Sequence, residues 1–166
     1  TLAYAHTANY SDFSYQIDVP AGAFLRSIIM RINDDTAPIR RKNDEVTGVR
    51  LSLPKTGEIV FEQSIQELET EMMRRFGCRG IAGDVGPIGA IATTRPSGAA
   101  TMAVAPAGFA VIDLRPFGDP LYGLDLRKYQ TGDFKLGLTI ENYASGDDTT
   151  IYWDQLTLVD PALVGR

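Results

Sequence analysis

Histidine and cysteine, the side chains most often used for metal binding and nucleophilic catalysis, each occur once among the 166 residues, as His6 and Cys78. A disulfide within the chain needs two cysteines, and zinc sites usually combine several Cys and His side chains. A Ser-His-Asp centre would depend on His6 alone, and residues near the start of a chain are usually mobile. We therefore interpret His6 as a solvated residue and Cys78 as a plain thiol, and we expect no catalytic site and no enzyme activity.

Carboxylates are the remaining candidates for metal binding. Ca²⁺ takes six to eight oxygen ligands, commonly from acidic loops, although Asp also forms ordinary solvated turns. Asp154 interrupts an otherwise strand-like segment, so it either faces solvent or binds a cation together with the nearby acidic pair. The sequence leaves a structural calcium open and predicts no other cofactor; the candidate ligands are Asp147, Asp148 and Asp154.

The balance of charge bears on nucleic-acid binding. The chain has 16 Lys and Arg against 21 Asp and Glu, a net charge of -5. Unspecific binding to nucleic acid depends on basic residues that neutralise phosphates, so none is expected here. The one basic run, Arg40-Arg41-Lys42, is followed directly by Asn43-Asp44-Glu45. A solvated loop is therefore favoured there over a phosphate contact.

The elements that must position these residues are mainly strands. Short segments with period-two alternation are separated by Gly and Pro, which is the signature of strands joined by turns. The segment 24–33 is apolar on both faces in its middle, which predicts a central strand. The predicted strands are 13–19, 24–33, 49–53, 58–61, 101–105, 109–114, 134–140 and 149–159.

One segment has a helical period. Ser64 and Glu67 have the spacing of a capping box, in which each residue satisfies a backbone N–H near the other. Apolar residues follow at positions 65, 68, 72 and 76, and Gly77 can end the helix. This pattern predicts a helix at about 64–76 whose apolar stripe packs on the protein's own sheet.

Eight strands and one helix, with turns between them, indicate an antiparallel sandwich. We predict an all-β fold, a single eight-stranded jelly-roll sandwich or barrel with one short α-helix. The predicted division is an N-terminal arm at 1–11, a jelly-roll domain at 12–160 and a C-terminal tail at 161–166. Within the domain, 77–108 is a long excursion of small residues. The arm has no period of its own, so it either extends freely or lies on a neighbouring subunit.

The first half of the chain resembles a family of viral proteins. FLRSIIMRINDD, then EVTGVRLSLPKTGEIVFEQSIQELETEMMRRFG, is similar to the start of single jelly-roll major capsid proteins of tailless, icosahedral bacteriophages with an internal membrane. The segments FAVIDLRPFGDPLYGLDLRKY and FKLGLTIEN resemble their later strands. The likeness covers about two thirds of the chain and is a matter of pattern, with no diagnostic motif.

A second, local resemblance implies another function. GDDTTIYWDQLTLVD is similar to the last strand of jelly-roll carbohydrate-binding modules, in which an Asp at the place of Asp154 often helps to hold a structural calcium. The sequence shows no aromatic platform for a sugar, since the single Trp153 lies in a predicted strand. A glycan-binding module with a calcium ion is therefore the alternative hypothesis.

The first resemblance implies a structural capsid protein of the virion, made in the host cytoplasm, that self-assembles into an icosahedral shell over an internal membrane. Its partners would be further copies of itself and a second capsid protein, with contact to the viral membrane and no direct binding of nucleic acid. Candidates for the assembly interface are the aromatic residues of the arm and the basic run, namely Tyr4, His6, Tyr10, Arg40, Arg41 and Lys42.

Overall fold

The segments with period-two alternation form strands that pair into two antiparallel sheets. The computed structural model describes residues 2–33, 45–76, 79–81, 101–103, 109–115 and 121–157. The elements in these residues are β1 (Leu2–Ala5), β2 (Tyr10–Asp18), β3 (Phe24–Asn33), β4 (Val46–Leu53), β5 (Glu58–Ser64), α1 (Ile65–Phe76), β6 (Arg79–Ile81), β7 (Thr101–Ala103), β8 (Phe109–Asp113), β9 (Leu124–Asp125), β10 (Lys135–Ile140) and β11 (Asp148–Leu156).

The order of the strands is that of a jelly roll. Sheet A has the order β1-β11-β3-β8, with the short β9 also paired to β3, and sheet B has the order β2-β10-β4-β5. The chain crosses from one sheet to the other after β1, β2 and β3, again between β5 and β8, and again before and after β10. Two four-stranded sheets connected in this way confirm the predicted eight-stranded jelly roll, to which β9 adds a ninth, two-residue strand.

The core lies between the two sheets because each strand turns its apolar residues inward. Ile28, Met30 and Ile32 of β3 are at most 1% exposed, and they share the core with Leu51 of β4 and Leu138 of β10. Trp153 is partly buried and packs against this core, as expected for a strand residue.

The predicted helix is present and begins with its capping box. The Glu67 N–H donates to Ser64 Oγ at 3.2 Å, and the Ser64 N–H donates to Glu67 Oε2 at 2.8 Å. Ile65, Leu68 and Met72 are buried, and α1 contacts β4, β5 and β8. The helix therefore covers the side of the sandwich between the edge strand of sheet B and the edge strand of sheet A. No helix in the described residues has the length and apolarity needed to cross a membrane.

The N-terminal segment differs from the expected arm. Residues 2–5 form β1, which pairs with β11 from Leu2 opposite Ile151 to Ala5 opposite Asp148, and β2 already begins at Tyr10. The segment 1–11 is thus largely part of the jelly roll, and the expected boundary at residue 12 is corrected. The alternation of apolar and polar residues did not indicate this strand, because β1 is only four residues long and lies at the edge of its sheet.

Of two other predicted segments, the structure describes the excursion in part and the C-terminal tail not at all. In the excursion 77–108, β6 and β7 pair as a separate two-stranded ribbon. The expected strand at 101–105 corresponds to β7, while β6 was not predicted. The tail 161–166 lies outside the described residues.

Candidate functional site

His6 is the residue whose position the sequence misjudged most. Its side chain is fully buried, and its Nδ1 forms a hydrogen bond with Oε1 of Glu45, which is also fully buried. His6 follows β1 and Glu45 precedes β4, so the contact joins two segments 39 residues apart. The expectation of a solvated arm residue is therefore wrong, because pairing of β1 with β11 carries His6 into the end of the sandwich.

The backbone around this pair is also fixed. The His6 N–H donates to the Asp147 carbonyl at 3.0 Å, and the Glu141 N–H donates to the Glu45 carbonyl at 2.6 Å. The ring of Tyr15 meets the His6 ring edge-on, with 5.3 Å between centroids. A histidine–carboxylate pair has the groups for acid–base catalysis, but a substrate must reach it within hydrogen-bond distance. With no exposed side-chain surface, this pair serves to hold the N-terminal strand in place.

The aromatic residues of the former arm also serve the fold. Tyr4 and Tyr10 are partly buried against the core, and the Tyr10 and Tyr15 rings meet edge-on at 5.0 Å. The Tyr15 hydroxyl donates to the Ala5 carbonyl at 2.9 Å, which ties β2 to β1. Burial raises the pKa of the Tyr4 and Tyr15 hydroxyls above the ordinary value. An interface role for Tyr4 and Tyr10 stays a prediction that concerns their exposed parts.

The three calcium candidates are not brought together. Asp148 and Asp154 lie near opposite ends of β11. Asp154 accepts hydrogen bonds from Arg26 Nη2 at 2.5 Å and from Ser27 Oγ at 3.2 Å. In the part of the chain that the structure describes, no three His, Cys, Asp or Glu side chains form a group that could hold a metal ion. The expected joint site is thus absent from these residues, and the glycan-binding hypothesis gains no support from Asp154.

The remaining acidic candidates have local partners. Asp148 Oδ1 accepts a hydrogen bond from Asn33 Nδ2 at 2.6 Å, and Asp147 Oδ2 accepts one from the Ala144 N–H at 2.8 Å. The first contact joins β11 to β3, and the second lies in the turn between β10 and β11. Arg40, Arg41, Lys42 and Cys78 lie outside the described residues.

One end of the sandwich exposes large apolar side chains that the sequence analysis did not single out. The turn 54–57, the connection 19–23 and the segment 121–133 meet there, since Lys55 Nζ reaches Asp133 at 2.5 Å and the Gly132 N–H donates to the Val19 carbonyl at 3.4 Å. Exposed apolar residues in or next to these segments form what we call the apolar end: Ile59, Val60, Leu121, Tyr122 and Tyr129.

Leu121 and Tyr122 project from a firmly held segment. They are 68% and 56% exposed, and Gly123 follows them. A Cβ on Gly123 would lie 2.4 Å from the Leu25 carbonyl oxygen, so only glycine allows the backbone to approach β3 this closely. Exposed apolar groups on a fixed backbone are typical of protein–protein or membrane contact sites.

Comparison with known proteins bears on the fold. No protein-family model matches the chain, and no curated protein matches it in sequence. Among solved structures, it matches the crystal structure of the STIV MCP, a major capsid protein, with a TM-score of 0.61 and 15% sequence identity. The comparison therefore shows a jelly-roll fold that this chain shares with that protein. The match covers 99% of this chain but only 42% of the STIV protein, so the chain spans less than half of its length.

Proposed function

We propose that this chain is a structural capsid protein of a virion and carries no catalytic site. The observation that carries the proposal is the match of 99% of the chain to a major capsid protein, through a complete jelly roll. Within the described ranges, the buried pair of His6 with Glu45 has no exposed side-chain surface to offer a substrate. Function then depends on surfaces through which copies of the chain contact each other.

The β1 edge of sheet A is partly protected, which favours assembly through the faces and ends of the sandwich. Exposed strand edges invite pairing with further strands, and proteins that avoid this protect them. At the β1 edge the Ala5 carbonyl already accepts the Tyr15 hydroxyl, which removes one acceptor from that edge. The apolar end, in contrast, offers Leu121 and Tyr122 to a neighbour without any rearrangement. We propose that this end lies in a contact of the shell.

The proposal extends to the wider setting implied by the phage resemblance. In that setting the chain self-assembles into an icosahedral shell, a second capsid protein shares its lattice, and an internal membrane lies beneath. The protein would be made in the host cytoplasm and would not bind nucleic acid, in keeping with its net charge of -5. The basic run 40–42 is the proposed point of contact with anionic lipid headgroups.

Assembly of the purified protein tests the proposal. Sedimentation velocity and negative-stain electron microscopy over a range of concentrations should reveal shells or regular capsomers. The double variant Leu121→Asp with Tyr122→Asp should reduce assembly, because charges at the apolar end oppose its burial. Ser145→Asp, an exposed site at the opposite end, is the matched control and should assemble normally. A protein that stays monomeric throughout, and that mass spectrometry does not find in purified virions, would contradict the proposal.

A further inference from the structure

The outer face of sheet A has an apolar row that is partly exposed, although its Val111 end also lines a groove with Leu68 and Met72 of α1. The β3 strand is apolar on both faces: Ile28 and Met30 point into the core, and Ile29 points away from it. The register places Ile29 opposite Tyr152 of β11 on one side and Val111 of β8 on the other. Register partners share a face of the sheet, so these three side chains form one row across three strands. We call it the central row.

The two rows beside the central row differ in charge. On one side, Arg31 lies between Thr150 and Phe109. The buried Nε of Arg31 has no hydrogen-bond partner in the described part of the chain. The row on the other side consists of Ser27 between Asp154 and Asp113.

The acidic row is only partly neutralised within the chain. Asp113 is bound by Arg115 and its side chain is 7% exposed, whereas the Asp154 side chain, bound by Arg26, is still 32% exposed. One edge of the apolar row is therefore cationic through the half-buried Arg31, and the other edge carries the partly exposed carboxylate of Asp154.

We propose that this face binds the same face of a second copy of the chain, related by a twofold axis that runs along the central row. Such an axis places the central row of one copy on that of the other. It also places the Arg31 row over the row of Asp154 in the partner, twice by symmetry. Sheets that pack face to face interdigitate such side chains. The choice of a second copy rests on the proposed shell role and on this charge complementarity.

The charge complementarity also favours a second copy over a lipid surface as the occupant of this face. A lipid surface would meet the carboxylate of Asp154 unfavourably, whereas a second copy brings Arg31 to it. The row of Ile29, Val111 and Tyr152 would lose water on both copies at once. Burial of these apolar side chains and pairing of the Arg31 guanidinium with Asp154 then contribute to the same contact.

The first test compares a residue of the central row with an exposed residue outside both proposed surfaces. Tyr152 in the central row is 37% exposed, and Ser145 is exposed in the turn before β11. Sedimentation equilibrium of the full chain should give a dimer whose Kd rises at least tenfold in Tyr152→Glu and stays unchanged in Ser145→Glu. Circular dichroism melting of both variants verifies that each is folded. Equal dimer affinities for the two variants would overturn the inference.

The second test uses exchange of charge. Arg31→Glu alone and Asp154→Lys alone should each weaken the dimer, since each places like charges in contact. An equimolar mixture of the two variants should recover the dimer, because a mixed pair has one reversed and one native contact, both of opposite charge. Native mass spectrometry distinguishes the mixed pair by mass. Failure of the mixture to dimerise, with both variants folded, contradicts the twofold arrangement.

The outcomes separate this inference from the proposed function. If the wild type assembles into shells and Tyr152→Glu assembles equally well, the face inference fails and the capsid proposal stands. If the wild type dimerises through this face but is absent from virions by mass spectrometry, the face inference stands and the capsid proposal fails.

Discussion

Replacing His6 by Ala tests how the N-terminal strand is held. The substitution removes the imidazole that binds Oε1 of Glu45, and both side chains have 0% exposed surface. Because no water can reach the site, the Glu45 carboxylate would lose its His6 partner without gaining hydration. The cost should therefore be that of breaking a buried hydrogen-bonded pair and not that of losing a surface contact.

The expected magnitude follows from burial. Removing one partner of a buried pair costs about 3–5 kcal/mol, whereas an exposed ion pair contributes about 0–1 kcal/mol. Lys55 with Asp133 provides the exposed comparison, since the Lys55 side chain is 76% exposed. For a domain of this size, about 3–5 kcal/mol lowers Tm by about 6–20 °C.

Urea unfolding of His6→Ala, Glu45→Ala and the double variant gives the interaction energy of the pair as a thermodynamic cycle. The double variant should cost clearly less than the sum of the two single variants. Each single variant leaves one buried partner without its contact, whereas the double variant removes both partners. The same cycle on Lys55 and Asp133 is the matched control and should give a coupling below about 1 kcal/mol.

The result that refutes this reasoning is a His6→Ala variant that loses less than about 1 kcal/mol, the range of exposed pairs. Such a value would mean that water enters the end of the sandwich, so that His6 and Glu45 are hydrated in solution. Hydrogen exchange of the Leu2–Ala5 amides provides a second readout. These amides should exchange faster in His6→Ala if the pair holds β1 against β11.

Three further predictions concern local features. Gly123→Ala should cost about 1–3 kcal/mol in urea unfolding, because its Cβ would lie 2.4 Å from the Leu25 oxygen and the backbone must shift; Ser145→Ala is the control and should change little. Ser64→Ala should cost about 1 kcal/mol by the loss of the helix cap, and Ser64→Thr should restore most of it. The side-chain hydrogen bond from Arg127 lowers the pKa of Asp125 to about 2, so its contribution is complete above the unfolded pKa of about 3.9 and is lost as pH falls through about 2. Asp125→Asn should flatten the fall of Tm over that acid range, and an identical acid profile would contradict this assignment.

Much of the fold could be predicted because its signals are local. The β3 strand has the predicted bounds of 24–33, and the capping box placed α1 to within a residue. In both cases the pattern of a short window decides which side chains can be buried or which backbone groups are satisfied. The sequence also showed that β3 is apolar on both faces. Only the register with Tyr152 and Val111 shows which side chains share its outer face.

The candidate site could be predicted less well, because its contacts join distant segments. Asp154 stood out in the sequence as a possible calcium ligand, but its partner Arg26 lies 128 residues away on the neighbouring strand. Leu121 and Tyr122 lie in a loop whose exposure depends on how Gly123 meets β3. The periodicity of a sequence does not indicate which distant segments come into contact.

The sequence by itself determined most of the strand segments, the helix cap and, through its one His and one Cys, how few residues could serve metal or nucleophile chemistry. Only the tertiary structure decided that residues 2–5 form a strand and that His6 is buried against Glu45. The physical reason is that a four-residue edge strand has too few side chains to show a period. Its place comes from hydrogen bonds to β11 and from a partner 39 residues away, which exist only once both sheets have formed.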